Sequence, residues 1–511
     1  MRICLISREY PPDTGWGGIG AYTYQMAHAL TDLGHDVEVV SLAADTRPNG
    51  FMAASTKIGG DSSPRIKVHR AMWQEELDDL RILLVTTPFS HFVIKTSFAL
   101  WQAFLKAHEE KPFDVAEVPE HLAGGLMPIA AQSVATVVKI HTPHSKFAAE
   151  QLHDVVPSFD HQFICMLERF TMLMADELCS PSEDMAKYVA NDLGMSVDSI
   201  PIVRNPVNTG QFSPDGEMAT LPHKGPTVLF VGRLEERKGI RYLIEAVPRV
   251  VSEFPSAQFV VVGADTPHAP GGSALAHCKK ILQEHGCAES VTFVPQVELS
   301  LMPTYYRAAD ICVVPSLYDN APYTCIEAMS CGRPVVASTS GGTREYIQPG
   351  HTGLLVPPKE PQAIAQAVLR LLRDENERKR MGANARTYVL SSLSNEAIAH
   401  QMVRMYESAI QKHNSGAKSR IYHKDQRHLL PDARQLLQAY DQLFYDRFYQ
   451  HSFRFRLNHW IRIAKKQPEL FRTKLTVRLA RPLARRFPKS HLAQVVSRLE
   501  NSIRLRQLES K

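Results

Sequence analysis

Short apolar runs alternate with amphipathic stretches along the first 410 or so residues. Arg2–Ser7, Val37–Leu42, Arg65–Arg70, Asp114–Val118, Thr136–Ile140 and Ser199–Arg204 read as strands. Between them, Ile19, Tyr22, Met26, Leu30 and Leu33 recur at helical spacing until Gly34 stops the helix. Phe89–Glu109 keeps Ile94, Phe98, Trp101 and Leu105 on one helical face. Helices are expected around 144–153 and 157–174, and Ser182 is the expected N-cap of another that ends at Gly194. The alternation then resumes. Thr227–Val231, Gln258–Val262, Val291–Val294, Ile311–Val314, Pro334–Ala337 and Thr352–Val356 are the strands of a second half. One helix runs on Leu243, Ile244, Val247, Val251 and Phe254, with others at about 360–373, 376–390 and 394–411. Strand, polar loop, helix and strand is the α/β arrangement that puts ligands at strand carboxyl ends.

Composition changes this picture little until the tail. A chain of 511 residues suggests about three domains, and 44% apolar with 22% charged residues describes an ordinary soluble protein. The eight cysteines include no C-x-x-C pair and sit mostly in apolar runs, so buried reduced thiols are expected. The apolar start is too short for a signal peptide, and no apolar run is long enough to span a membrane. A cytoplasmic protein is therefore expected. From Ser415 onward, 22 Lys and Arg stand against 7 Asp and Glu, a balance of +15 that leaves −10 for the rest. Aromatic and apolar residues are interleaved there, as in Phe453-Arg454-Phe455-Arg456 and Trp460-Ile461-Arg462-Ile463. A basic helical extension of this kind fits an anionic membrane surface at the inner face of a membrane, or a protein partner. Nucleic acid is the least favoured partner, because no nucleic-acid motif accompanies the charge.

Candidate chemistry concentrates at 315–347. The run Ile311–Val314 reaches Pro315 and a turn-rich loop with Asp319, Asn320 and Pro322, and a short helical piece carries Glu327. Two carboxylates eight residues apart, one in the loop and one on the helix, can reach different hydroxyls of one polyol. Amides at the helix start can face an anion. In the first half, strands deliver Pro119-Glu120-His121 and His141 to their carboxyl ends. Gly15, Gly17 and Gly20 satisfy G-x-G-x-x-G, but about seven residues separate them from the strand and Asp36 precedes the second strand. That excludes a dinucleotide fingerprint. The glycine loop, with free amides at Gly17 and Gly18, suits close approach of an anion instead.

Pro315, Ser316, Glu327, Ala328, Met329, Gly332, Pro334–Ala337, Gly341, Gly342 and Glu345 match a known pattern, P-S-x-x-E-G-F-G-x4-E-A-M-A-x-G-x-P-V-V-A-x-x-x-G-G-x-x-E. It is the Glu-x7-Glu signature of retaining GT-B glycosyltransferases, in glycosyltransferase family 4 (group 1). The chain resembles that family over residues 1 to about 412, with Asp319 in place of the first Glu, Asn320 in place of Gly, and Ala321-Pro322 in place of Phe-Gly.

The resemblance implies an α/β GT-B fold of two Rossmann-like domains facing across a cleft. Residues 1–215 would form the acceptor-side domain and 216–393 the nucleotide-sugar domain. A helix at 394–412 would cross back to the first domain, and 413–511 would be the basic, mainly helical extension. It implies a retaining, metal-independent transfer from a nucleotide-sugar donor to a glycan or lipid-linked acceptor, with no cofactor. Arg233 and Lys238 would hold the diphosphate, Asp319 the sugar hydroxyls and Glu327 the ribose. His141 would orient the sugar, Gly17 and Gly18 would admit donor phosphate and acceptor, and Val294 would lie near the base. Glu120 and His121 are acceptor-side candidates, while Glu235, Glu236 and Arg237 read as solvated surface. The alternatives are a sugar-nucleotide epimerase of the same architecture and a non-catalytic sugar-nucleotide scaffold recruited by its tail.

Overall fold

The computed structural model describes residues 1–11, 17–43, 65–73, 88–151, 158–222, 225–265 and 272–416, with positions 475 and 495. The chain divides into two units, Met1–Asp432 and Ala433–Lys511, and every element with described bounds belongs to the first. Four features read from the sequence lie outside the described residues: positions 12–16, the loop at 44–64, the tip at 266–271 and nearly all of the basic extension.

Twelve described strands form two six-stranded sheets. β1 (Arg2–Ser7), β2 (Asp36–Leu42), β3 (Lys67–Ala71), β4 (Val115–Pro119), β5 (Ala135–Lys139) and β6 (Glu177–Cys179) assemble in the order β3-β2-β1-β4-β5-β6. β7 (Thr227–Val231), β8 (Gln258–Val262), β9 (Val291–Val294), β10 (Ile311–Val314), β11 (Val335–Ser338) and β12 (Gly353–Val356) take the order β12-β11-β10-β7-β8-β9. The strand pairs are parallel, with Leu5 beside Val39 and Glu117 in the first sheet, and Leu229 beside Val260 and Cys312 in the second. Parallel sheets covered by helices on both faces require strands apolar on both sides. β1 meets this requirement, since Cys4 and Ile6 enter one core and Ile3 and Leu5 enter the other.

Strand order reverses between β1 and β4 and again between β7 and β10, which makes the carboxyl ends of these strands the natural ligand edge. Ser199–Arg204, expected as a strand, forms only a single bridge, Ile202 to Ser180. Pro201 lies inside this stretch and Pro206 just after it, and a proline has no N–H to extend a ladder. The chain passes between the halves along two adjacent stretches: Val207 N–H donates to Leu393 O at 3.0 Å, and Asn395 N–H donates to Val207 O at 3.2 Å. The helix Asn395–Asn414, capped by Ser394, then buries Met402, Met405 and Tyr406 against the first sheet. Its Tyr406 hydroxyl donates to the buried Glu117 carboxylate. The first half is thus completed by residues nearly 300 positions downstream.

Candidate active site

After β7 the chain turns through Gly232 and Arg233 into a short 3-10 turn, Glu236–Lys238, closed by Gly239. Gly239 has φ +69°, and a Cβ there would stand 1.9 Å from the Pro315 carbonyl oxygen. Only glycine permits both the left-handed backbone and this approach. The close approach stitches the turn to the loop after β10. Leu317 N–H donates to Arg237 O at 2.8 Å, and Arg237 Nη1 donates to Tyr318 O at 3.2 Å. Lys238 Nζ consequently lies 2.6 Å from Asp319 Oδ2, with Arg237 Nη1 at 3.7 Å. Burial works to raise the Asp319 carboxyl, but Lys238 and then Arg237 outweigh it and hold the group below its ordinary value. Arg233 remains more than half exposed beside Glu235, at 3.3 Å.

Glu327 sits on the helix Tyr323–Ser330 and accepts a hydrogen bond from the buried Tyr306 hydroxyl at 2.8 Å. Burial pushes its carboxyl up to about 7, although the Tyr306 bond works in the opposite direction. Val294 ends the edge strand β9, where its carbonyl accepts the Gly263 N–H at 3.0 Å; it does not line the cleft cavity.

On the first sheet, β4 delivers Glu120 and His121, and β5 delivers His141. Glu120 is wholly buried and accepts the His141 N–H at 2.7 Å, so it stands behind His141. Burial raises Glu120 to about 8, with the His141 amide opposing. A second buried carboxylate, Glu168, accepts the Leu122 N–H at 2.7 Å and the His144 N–H at 2.6 Å. These bonds hold a strained bend in which Leu122 and Ala123 both take positive φ, at 52° and 46°. Burial, then Lys139 and His121, keep His141 well below the usual imidazole range, and its ring meets Tyr22 edge-on at 5.3 Å. Among the described residues no carboxylate hydrogen-bonds His121; its Nδ1 lies 3.1 Å from Thr142 O, and burial followed by Arg8 lowers it to about 3. Both rings are therefore neutral at pH 7.

Gly18, His121, His141, Asn205, Asp319 and Tyr323 share one cavity of about 220 Å³ between the two sheets. Gly17 is the N-cap of the helix Gly18–Asp32, and a Cβ there would meet Glu9 at 2.1 Å, whereas Gly18 faces open space. A larger cavity of about 450 Å³, by Gly332 and Arg333, precedes β10 and β11 and lies away from these groups. Residues 17–207 match the description Glycosyl transferase 4-like domain, and residues 217–388 match Glycosyl transferases group 1. The D-inositol 3-phosphate glycosyltransferase of Corynebacterium glutamicum (strain R) is 30% identical over 286 residues, covering 52% of this chain and 68% of that one. The chain belongs to the group 1 glycosyltransferases. The sucrose-phosphate synthase of Thermosynechococcus elongatus superposes with a TM-score of 0.62 at 27% identity, covering 80% of this chain and 99% of its own. HepE of Anabaena, solved with UDP and glucose, shares the fold at TM-score 0.59 and 18% identity, over 80% of this chain and all of its own. The two sheets with their helices are the two Rossmann-like halves of a GT-B fold.

In this glycosyltransferase the cavity brings His141, His121, Gly18 and Asp319 together as one group, while Lys238 joins them through Asp319. Glu327, Arg233 and Val294 lie outside its lining. Arg237, expected on a solvated surface, has a side chain about four-fifths buried, because it closes onto Tyr318 and Asp319 in the loop after β10, 81 and more residues downstream. Asn205, just past the Ser199–Arg204 stretch, is 4% exposed in the cavity wall, and among the described residues its Oδ1 has no hydrogen-bond partner. Tyr323 shares that wall, and its hydroxyl likewise has no partner among the described residues. No local pattern could have marked either one.

Proposed function

We propose that the glycosyltransferase moves a sugar from a nucleoside-diphosphate donor to an acceptor hydroxyl, with retention at the anomeric carbon and without a metal. Support for this reading comes from Asp319 and His141 facing one cavity from opposite sheets, with a cation held against Asp319. HepE, the Anabaena relative in fold, was solved with UDP and glucose, which is consistent with such a donor.

In this mechanism Lys238 and Arg233 take the donor diphosphate, and the anomeric C–O bond breaks toward them. Fixed cations offset the charge that grows on the departing phosphate, and an electrostatic donor of this kind contributes about a hundredfold or more in rate. The departing phosphate oxygen accepts the acceptor's hydroxyl proton, and the new C–O bond forms on the same face of the sugar. Asp319 binds sugar hydroxyls and His141, neutral, orients the ring. Glu327 takes the ribose hydroxyls, with Val294 near the base. Gly18 leaves room for phosphate and acceptor, with Gly17 opening its helix against Glu9, and His121 lies on the acceptor side, with Glu120 acting through His141. The donor is a substrate and no cofactor takes part. The acceptor belongs to polysaccharide or glycolipid synthesis, and the basic extension would bring the enzyme to the inner face of a membrane. Among the described residues no helix is long and apolar enough to cross one.

Release of nucleoside diphosphate from UDP-, GDP- and ADP-sugars without added metal, compared with Lys238→Ala, tests the reading. Release from one donor that disappears in the variant supports it. Absence of release from every donor, together with no nucleotide binding by calorimetry, would overturn it.

A further inference from the structure

Asn320 stands where the family pattern has glycine, and it is only 6% exposed. Its carboxamide is committed across the cleft. Nδ2 donates to the carbonyl oxygen of His141, 179 residues earlier, and Oδ1 accepts from the Ser182 hydroxyl, 138 residues earlier. A carbonyl can only accept, so the His141 contact fixes which end of the amide faces it. Both partners belong to the first sheet's side, and Asn320 belongs to the second.

The surroundings leave little freedom for any other arrangement. A Cβ at Gly342 would stand 2.0 Å from Asn320 O and 2.6 Å from Ser182 Cβ, so the three residues meet at a point where only glycine fits. Gly342 N–H holds Asp319 O at 3.0 Å. Asp319 is therefore fixed by its backbone to one loop, by its carboxylate to Lys238, and through its neighbour Asn320 to the opposite half. His141 is held symmetrically: its N–H goes to Glu120 and its carbonyl to Asn320.

We propose that Asn320 is a positioning residue for transfer: an interdomain strap that sets the spacing of Asp319 against His141 across the cavity. It acts through those two residues and takes no part in proton movement. The Gly-to-Asn departure is then a gain, because glycine has no side chain with which to make this tie. The role in transfer rests on the proposed function, whereas the strap itself does not.

Full-length Asn320→Gly, Asn320→Ala and the isosteric Asn320→Asp separate these levels. The aspartate fills the same space but turns an oxygen toward the His141 carbonyl, so it should behave like alanine. Amide hydrogen exchange without ligand should rise severalfold at 141–145 and 183–187 in all three variants. Affinity for UDP, GDP or ADP, whichever the wild type binds, should stay within twofold, while kcat for donor turnover falls tenfold or more. Unchanged exchange in Asn320→Asp and Asn320→Ala would overturn the strap. Raised exchange with kcat within threefold of wild type would overturn the positioning role. If the wild type bound none of the three nucleotides, the proposed function would fail, and the positioning role with it, while the exchange data would still decide the strap.

Discussion

Lys238 Nζ stands 2.6 Å from Asp319 Oδ2, so the cation assigned to the donor diphosphate already has a carboxylate partner without it. Both side chains are at least four-fifths buried. Removing Lys238 leaves the buried Asp319 charge with the longer Arg237 contact, at 3.7 Å, at a cost of up to about 3 kcal/mol. Lys238→Ala should thus lower both donor turnover, by about a hundredfold or more, and thermal stability. Adding Asp319→Asn to Lys238→Ala should restore much of the stability and none of the turnover, because the stranded charge is gone but the diphosphate contact is not. Equal stability losses that simply add, read from denaturation curves, would contradict the coupling.

The raised Glu327 carboxyl, at about 7, gives donor binding a pH dependence of definite sign. In the proposed function the ribose hydroxyls donate to ionised Glu327, so the bound donor would favour loss of the proton. Affinity for the nucleotide-sugar should rise from pH 6 to pH 8, with proton release on binding. Glu327→Gln should flatten the profile. Calorimetry in two buffers of different ionisation enthalpy checks this, and a diester donor adds no phosphate that titrates in the same range.

Glu120, raised to about 8 by burial, contributes to stability in the opposite pH direction from an ordinary ion-paired carboxylate. A folded-state value above the unfolded one favours the fold fully below the ordinary carboxylate range, and the benefit is lost as pH rises through 8. Glu120→Gln keeps an acceptor for the His141 N–H and cannot ionise. Between pH 7 and pH 9 its melting temperature should therefore fall less than that of the wild type; parallel curves would refute the assignment.

Glu345 works as a helix cap supplied from the other half of the fold. Its carboxylate accepts the Glu183 and Asp184 N–H groups at 2.8 and 2.9 Å, at the start of the helix Glu183–Leu193, and pairs with Arg204 at 3.2 Å. Negative charge at a helix start is favourable, and a lost cap costs about 1–2 kcal/mol. Glu345→Ala should lower unfolding free energy by about that amount. The helix keeps its own cap, since Ser182 still accepts the Met185 N–H, so the protein should remain folded.

The two-sheet architecture was legible because strand and helix periods are local. A near-continuous apolar run such as Val335–Ala337 can bury both faces wherever it lies in a sheet. Caps were legible for the same reason: Ser182 and Gly194 bracket their helix as expected, with Gly194 at φ +65°. The three-residue β6 was too short to stand out, and the prolines near Ser199–Arg204 mattered more than its apolar character.

At the site, the sequence by itself determined which residue types arrive at the strand ends: Glu120, His121 and His141 on one sheet, Lys238, Asp319 and Glu327 on the other. It did so because motif spacing is a property of one segment. Tertiary structure alone decided what each of them faces. That Lys238 pairs with Asp319, that Arg237 leaves the surface, that Glu120 lies behind His141 and that Asn320 reaches across to His141 and Ser182 all depend on segments 21 to 179 residues apart. Burial, hydrogen-bond partner and hence charge state are set by the approaching segment, and no local pattern encodes it.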